Sequence, residues 1–111
     1  MKIKLSKLNS KEMMPGYHGK LIHTQNMSLV FWKLEEGAIV PEHSPSNEQV
    51  MQVLKGHFEF TLSGTTILYS SVDLVIISPM SHPSGKALTA CKIMDIFSPQ
   101  GRRIAKTTPI H

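Results

Sequence analysis

Proline is spread along this chain so that a long helix has little room to form. The seven prolines lie at positions 15, 41, 45, 79, 83, 99 and 109 of 111 residues. Proline inside a helix removes a backbone hydrogen bond and clashes with the preceding turn. No window of a dozen residues repeats its apolar residues with helical spacing. The chain is therefore predicted to be all-β.

Short runs of strand-forming residues occupy the stretches between these prolines. Strands are predicted at residues 27–34, 49–54, 57–62, 66–69, 74–77 and 87–97. Lys55-Gly56 and Ser63-Gly64 are predicted turns, because glycine adopts the positive φ that tight hairpins need. About eight short strands, with a turn about every ten residues, are typical of a sandwich or a closed barrel.

The length and the charge of the chain restrict its domain count and its partners. With 111 residues, 41% of them apolar and 18% charged, there is room for one folded domain, residues 1–111. The net charge of +4 comes from scattered basic residues, and no basic stripe is interleaved with aromatic rings. A nucleic-acid partner is therefore not expected.

Other features of the composition predict the compartment. The longest apolar runs are about five residues, whereas a helix that spans a bilayer needs about 20. Neither a membrane partner nor a secretory signal is expected, and a cytoplasmic protein is predicted. Cys91 is the one cysteine, which excludes an internal disulfide.

Histidine and glutamine stand near the ends of the predicted strands. His43 precedes the strand 49–54, Gln49 opens that strand on its apolar face, and His82 follows the strand 74–77. A buried polar group is costly without a partner, so Gln49 is expected to have one. Each of these side chains has two interpretations, as a hydrogen-bonded structural residue or as a ligand in a site. Structural roles are predicted for the other four histidines, which are His18, His23, His57 and His111. Of these, His57 is expected to face away from the core.

The last predicted strand carries an acid on an apolar face. Cys91, Ile93, Asp95 and Phe97 alternate along it and should share one side. An acid at such a position either pairs structurally, for example with Arg102, or acts chemically. Both interpretations of Asp95 remain open from the residues alone.

Two segments resemble the conserved motifs of the cupin family. Residues 37–56 resemble the first motif, in which two glycines frame a histidine and a glutamate or glutamine. The matching residues are Gly37, His43, Gln49 and Gly56. Residues 74–84 resemble the second motif, whose histidine is matched by His82. Residues 15–103 are similar to small bacterial single-domain cupins, including pectin-degradation proteins that open 4,5-unsaturated sugar acids into linear keto acids.

The resemblance implies a fold, a metal and a substrate class. The fold is a single cupin barrel, a double-stranded β-helix or jelly roll, with its core at about residues 27–98, a strand segment at 1–26 and a short tail at 99–111. The cofactor is a divalent transition metal such as Zn, Ni, Fe or Mn, and the ligand is a small molecule such as a sugar acid. The implied metal ligands are His43, Gln49 and His82.

The resemblance also implies catalytic residues. Asp95 and Phe97 match the family's Asp-x-Phe-Ser-Pro segment, where the acid and the ring face the substrate pocket. An arginine usually follows four residues after this phenylalanine, and here that position is Gly101. Arg102 or Arg103 would take its place and hold the substrate carboxylate through paired hydrogen bonds.

The sequence departs from the family pattern at the metal site. Pro45 stands where the second histidine of the first motif is expected, and proline cannot bind a metal. His82 is shifted by one residue in the second motif. Three ligands remain, one of them a neutral amide, which adds little affinity. This pattern implies a weakened, altered or lost metal centre.

Three functions follow from these features. The first is an enzyme that opens or tautomerises an unsaturated sugar acid without a redox step. The second is a barrel that binds a small ligand without catalysis, with the metal site degenerate or absent. The third is a metal-dependent oxygenase. A homodimer is expected for each, because a short barrel leaves strand edges to cover and the alternating segment 1–5 could pair across a two-fold axis.

Overall fold

The polypeptide alternates between short strands and tight turns, and the computed structural model describes residues 1–42, 47–79 and 81–98. A three-residue 3-10 turn, Leu5–Lys7, precedes the first strand. Within the described residues, no helix is long and apolar enough to cross a membrane. The strands of this part of the chain are β1 (Lys11–Met14), β2 (Tyr17–His23), β3 (Ser28–Leu34), β4 (Ile39–Val40), β5 (Glu48–Lys55), β6 (Phe58–Leu62), β7 (Thr65–Tyr69), β8 (Leu74–Ile77), β9 (Ser84–Ala87) and β10 (Cys91–Ser98).

These strands form two antiparallel sheets. The larger sheet has the order β1-β2-β3-β10-β5-β8, and the smaller sheet has the order β4-β9-β6-β7. From β3 onward the chain passes repeatedly from one sheet to the other, which is the connection pattern of a jelly roll. The all-β fold class and the jelly-roll barrel predicted from the sequence are confirmed.

The core lies between the two sheets. Each strand presents alternate residues to it, because successive side chains of a strand point to opposite faces. Val30, Val53 and Ile93 of the larger sheet are buried there against Phe58 and Phe60 of the smaller sheet. Burying one such side chain contributes about 1.5–3 kcal/mol.

Most predicted strands are confirmed to within one residue at each end, and one prediction is wrong. Residues 87–97 do not form a single strand, because Ala87 ends β9 in the smaller sheet and Cys91 begins β10 in the larger one. The backbone N–H of Leu88 donates to the carbonyl oxygen of His57 at 2.9 Å, which fixes the crossing between the sheets. His57 itself is exposed, as predicted.

The turns and the amino-terminal segment also bear on the predictions. Gly56 and Gly64 have φ of +94° and +81°, so both predicted turns are confirmed. A Cβ atom at Gly56 would lie 2.3 Å from the carbonyl oxygen of Ala90, so only glycine fits there. The alternating segment 1–5 is not a strand within this chain. Residues 11–23 form β1 and β2 of the larger sheet. These two strands precede residue 27, where the barrel core was expected to begin.

Candidate functional site

Asp95 lies near the middle of the larger sheet and faces the barrel interior. On β10 it stands opposite Val30 of β3 and Met51 of β5. Its side chain is only 8% exposed, and the other residues of its face, including Phe97, are buried too. The shared face predicted from the alternation is therefore confirmed.

One oxygen of Asp95 is held by the only tryptophan of the chain. The indole N–H of Trp32 donates to Oδ2 of Asp95 at 2.9 Å. The indole ring stacks on Tyr17, with the ring centroids 4.5 Å apart and the planes 7° from parallel. It also covers Gly19, where a Cβ atom would lie 2.6 Å from the ring. These contacts fix the indole, and through it they fix Oδ2 of Asp95.

The other oxygen of Asp95 has no such contact. Among the described residues, Oδ1 of Asp95 and Oε1 of Gln49 are buried and have no hydrogen-bond partner. Gln49 lies on β5, where it stands opposite Phe97 of β10. Because an unsatisfied buried acceptor costs about 1–3 kcal/mol, two of them on neighbouring strands indicate a place where another group binds.

The residues that carry these two oxygens both line one small cavity. Its volume is about 20 Å³, and among the described residues of its otherwise apolar wall the polar side chains are those of Gln49, Asp95 and Tyr17. Such a volume holds about one water molecule. The cavity is therefore large enough for a single hydroxyl group of a substrate, but not for a sugar ring.

The surroundings change the acidity of both ionisable groups on this wall. Burial raises the pKa of the Asp95 carboxyl from 3.8 to about 7, and the hydrogen bond from Trp32 opposes this rise. Burial, and then the charge of Asp95, raise the pKa of the Tyr17 phenol well above 10. Near neutral pH the Asp95 carboxyl can therefore both accept and donate a proton, while Tyr17 stays protonated.

Replacing Trp32 by phenylalanine should raise the pKa of Asp95 further. The variant keeps an aromatic ring but loses the N–H that favours the ionised carboxylate. A hydrogen bond to a charged group is worth about 1.5–3 kcal/mol, so we expect a rise of about one pH unit or more. Carbon-13 NMR of the Asp95 carboxyl gives this pKa directly. An unchanged pKa in Trp32→Phe would contradict the role of the indole.

The sequence did not identify Tyr17 or Trp32 as site residues. Trp32 alternates with Val30 and Leu34 on the inward face of its strand, which made it look like an ordinary core residue. Its contact with Asp95 depends on the pairing of β3 with β10, which no local pattern reveals.

His82 faces away from the barrel interior. Its side chain is 63% exposed, and its Nδ1 lies 3.7 Å from Oε2 of Glu42. The next residue, Pro83, is buried and lines the cavity, so the chain turns His82 outward. His43, Pro45, Arg102 and Arg103, which the resemblance brought into the site, lie outside the described residues.

The described donors do not assemble a transition-metal site in the cavity. Of the implied ligands, Gln49 lines it, whereas His82 is not on its wall. The unpartnered oxygens of Gln49 and Asp95 are a neutral amide and a carboxyl that is half protonated near neutral pH. Transition metals prefer imidazole and thiolate ligands to such a pair. The described side chains of this cavity therefore do not fit a transition metal.

A separate group of ionisable side chains lies on the surface. Nε2 of His18 is 2.9 Å from a carboxylate oxygen of Glu35 and 4.0 Å from one of Glu12. In the described part of the chain this is the group of three that is close enough to hold an ion. Its carboxylates are exposed, and Lys33 stands opposite His18 in the sheet. These contacts are those of a surface ion-pair cluster.

A wider depression of about 410 Å³ lies on the outer face of the smaller sheet. Among the described residues that line it, the ionisable side chains are those of Glu42, Glu59 and Lys86. Two carboxylates against one ammonium disfavour an acidic ligand there. The depression and the interior cavity therefore differ in the ligands that suit them.

Comparison with known proteins shows similarity at the level of structure. No protein-family model and no curated protein sequence matches the chain. The KdgF protein from Halomonas sp. has a TM-score of 0.83 and 24% identity, covering 89% of this chain and 93% of that one. An RmlC-like cupin from Shewanella frigidimarina NCIMB 400 also has a TM-score of 0.83, with 18% identity, covering 89% of this chain and 90% of that one.

A larger enzyme contains a similar unit. Salicylate 1,2-dioxygenase from Pseudoaminobacter salicylatoxidans has a TM-score of 0.74 and 16% identity, covering 78% of this chain but 26% of that enzyme. The KdgF protein and the RmlC-like cupin are each covered to 90% or more, so the structural similarity extends over nearly the whole barrel. Two antiparallel sheets, their strand order and these similar structures show together that this chain has the cupin fold.

Proposed function

We propose that this protein is an isomerase that opens the ring of an unsaturated sugar acid, with Asp95 as the group that moves the proton. The observation that carries the proposal is the state of this one carboxyl group. It is buried, its pKa is raised to about 7, Trp32 holds one oxygen, and the other oxygen faces a cavity without a partner. A purely structural acid would have both oxygens bonded.

The proposed reaction removes a proton from the anomeric hydroxyl group and adds a proton to an alkene carbon. The hydroxyl hydrogen on the anomeric carbon is removed, a carbonyl forms there, and the bond from that carbon to the ring oxygen breaks. The ring oxygen becomes an enol, which turns into a ketone when a proton adds to the neighbouring alkene carbon. The formula does not change, so no oxidant or reductant is needed. A carboxyl with a pKa near 7 suits both proton transfers.

Two other side chains support this assignment. The Tyr17 phenol remains protonated and can donate a hydrogen bond to the oxygen that gains charge. Oε1 of Gln49 can accept a hydrogen bond from a substrate hydroxyl. Because the cavity itself holds about one water, the sugar ring is proposed to sit outside it, with its reacting atoms towards Asp95.

The substrate class comes from the sequence. The motifs resemble those of pectin-degradation cupins, and the net charge of +4 favours acidic ligands. Arg102 or Arg103 is proposed to hold the substrate carboxylate, and Phe97 to pack beside it.

A second candidate is a barrel that binds a sugar acid without converting it. The small size of the cavity favours this candidate, because a ligand could occupy the barrel end without reaching Asp95. Both candidates predict binding, and they differ in whether a linear keto acid is released.

The test is to incubate the protein with a 4,5-unsaturated uronate and follow the product by proton NMR. We expect the alkene signal to disappear and a linear keto acid to form faster than in buffer, with no change in a saturated uronate. Metal content, measured on protein made without a histidine tag, should stay below one half equivalent, and a chelator should not stop turnover. Tight binding without product would instead establish the binding barrel. If the protein neither binds the unsaturated uronate nor converts it, this substrate class is rejected.

A further inference from the structure

The proposed reaction moves protons at two atoms that lie on opposite sides of the sugar ring. The hydroxyl proton leaves at carbon 1, and a proton adds at carbon 4, the alkene carbon across the six-membered ring. The cavity beside Asp95 has room for one hydroxyl group and not for a ring. A substrate that places its anomeric hydroxyl there turns carbon 4 away from Asp95. The acidity of Asp95 suits either transfer, but its position suits only the first.

One end of the barrel, called the mouth, is marked by a row of inward residues on the larger sheet. Paired residues of antiparallel strands point to the same side of a sheet. The last inward row across β2, β3, β10, β5 and β8 consists of His23, Ser28, Phe97, Gln49 and Ile77. Asp95 belongs to the next row, one step deeper in the barrel. His23 therefore shares the interior face with Asp95 and lies closer to the mouth.

The imidazole of His23 is held against this interior face. Its Nδ1 lies 2.7 Å from Oγ of Ser28, which is completely buried, whereas His23 as a whole is exposed. The turn between the two residues is closed by two backbone donors. The N–H of Thr24 donates to the carbonyl oxygen of Met27 at 2.8 Å, and the N–H of Met27 donates to Oγ1 of Thr24 at 3.0 Å. These contacts fix the position of the ring.

The other ring nitrogen of His23 is available to a ligand. In the part of the chain that the structure describes, Nε2 of His23 has no hydrogen-bond or ion-pair partner. By contrast, Nε2 of His18 lies 2.9 Å from Glu35, and His82 lies beside Glu42. The structural role predicted for His23 from the sequence accounts for Nδ1 and leaves Nε2 unused.

Ser28 suits a histidine that gains and loses a proton. A hydroxyl group can donate to a bare ring nitrogen, and it can also accept from a ring N–H. The bond between Ser28 and Nδ1 therefore persists in both protonation states of His23. No buried polar atom loses its partner when Nε2 releases a proton, so the transfer carries no such cost.

We propose that His23 is a second catalytic residue and donates the proton that carbon 4 receives, an inference that rests on the proposed function. Asp95 takes the hydroxyl proton, a carbonyl forms at carbon 1, and the ring oxygen keeps the electron pair of the bond that breaks. That pair forms the carbonyl at carbon 5 while the alkene pair takes a proton from Nε2 of His23. Asp95 ends with one proton more and His23 with one fewer, and water at the mouth restores both.

The spacing of the strands suits a sugar ring between the two side chains. Asp95 and His23 lie two strands apart, because β3 separates β10 from β2. With about 4.8 Å between strands and about 3.4 Å per residue, their backbone positions are about 12 Å apart. Both side chains extend inward from these positions. This separation leaves room for one ring with a contact of about 3 Å on each side.

Reaction in heavy water tests which group supplies the proton. A fixed donor delivers deuterium to one face of the alkene, whereas free solvent delivers it to both faces. Early in the wild-type reaction, NMR should therefore show deuterium at one of the two positions on carbon 4 of the keto acid. His23→Gln cannot release a proton, so the ring should still open, but the keto acid should form about a hundredfold more slowly. Its deuterium should be spread equally over both positions.

Two further variants accompany this test. His57→Gln is the matched control, because His57 is exposed just before β6 of the smaller sheet, and it should label one position at the wild-type rate. Ser28→Ala keeps Nε2 of His23 but removes the bond that holds the ring. It should slow the formation of the keto acid less than His23→Gln does and retain a preference for one position. Circular dichroism should show every variant folded.

Three results would overturn the role of His23 while leaving the proposed function in place, because the ring opens in each. They are label at both positions from the wild type, label at one position without loss of rate from His23→Gln, and an equal loss of rate in His57→Gln. A wild type that leaves the uronate cyclic would instead overturn the proposed function and the role of His23 together.

Discussion

Asp95→Asn should lower the rate of ring opening by about a hundredfold to ten thousandfold, the usual contribution of a positioned acid or base. The asparagine is nearly isosteric, and its amide oxygen can still accept the N–H of Trp32. What it loses is the ability to gain and release a proton at the cavity. The loss should appear in kcat rather than in binding, because the shape of the wall is unchanged.

Asp73→Asn is the control for this variant. Asp73 is exposed and accepts a hydrogen bond from the backbone N–H of Ser70, which asparagine can also accept. It is the one other aspartate of the chain. Steady-state kinetics on the unsaturated uronate should show wild-type rates for this control. An Asp95→Asn variant that kept most of its rate would exclude Asp95 as the proton-moving group.

The stability of the folded protein should fall as the pH rises from 4 to 8. The pKa of Asp95 is 3.8 in an exposed chain and about 7 in the fold, so between these values the folded state binds more protons than the unfolded state. The free energy of unfolding then decreases with pH through this range and levels off above it. A difference of about three pH units corresponds to about 4 kcal/mol.

Asp95→Asn should remove most of this dependence. Its side chain is neutral at every pH, so at pH 8 the variant should be more stable than the wild type by up to about 4 kcal/mol, and at pH 4 nearly equal to it. Denaturant unfolding, followed by the fluorescence of the buried Trp32, measures both proteins. The difference between them isolates Asp95 from every other titrating group. Parallel pH profiles for the two proteins would contradict the buried, raised-pKa carboxyl.

For Asp95→Asn we expect a lower rate of ring opening but a higher stability at pH 8. These opposite effects distinguish a functional role of Asp95 from a purely structural one. If Asp95 served only to support the sheet, asparagine would be a better residue at that position. A carboxyl that costs stability near neutral pH is expected where its proton is used. A variant that is more stable and inactive would therefore support a functional Asp95 more strongly than loss of activity alone.

The sequence predicted what depends on local pattern. Alternation along residues 57–62 identified the inward Phe58 and Phe60, and glycine at Gly56 identified the turn before them. The prediction of a single strand at residues 87–97 is wrong, because the apolar content is continuous there while the chain passes from one sheet to the other. Alternation also identified Asp95 as an acid on an inward face.

The remainder of the site depends on distant pairing. Trp32 and Asp95 are 63 positions apart, and their hydrogen bond exists only because β3 and β10 are neighbours in this register. The outward direction of His82 depends on the burial of Pro83, and the lack of a hydrogen-bond partner for Oε1 of Gln49 depends on the walls of a cavity. None of these can be read from spacing along the chain.

The titration of a single carboxyl tests the account most directly. Carbon-13 NMR on protein labelled at aspartate should show two carboxyl signals, of which the one absent from Asp95→Asn moves with a midpoint near pH 7. A midpoint near 4 for that signal would mean that the carboxyl is solvated or fully hydrogen-bonded, and would contradict the proposed proton transfer at this cavity.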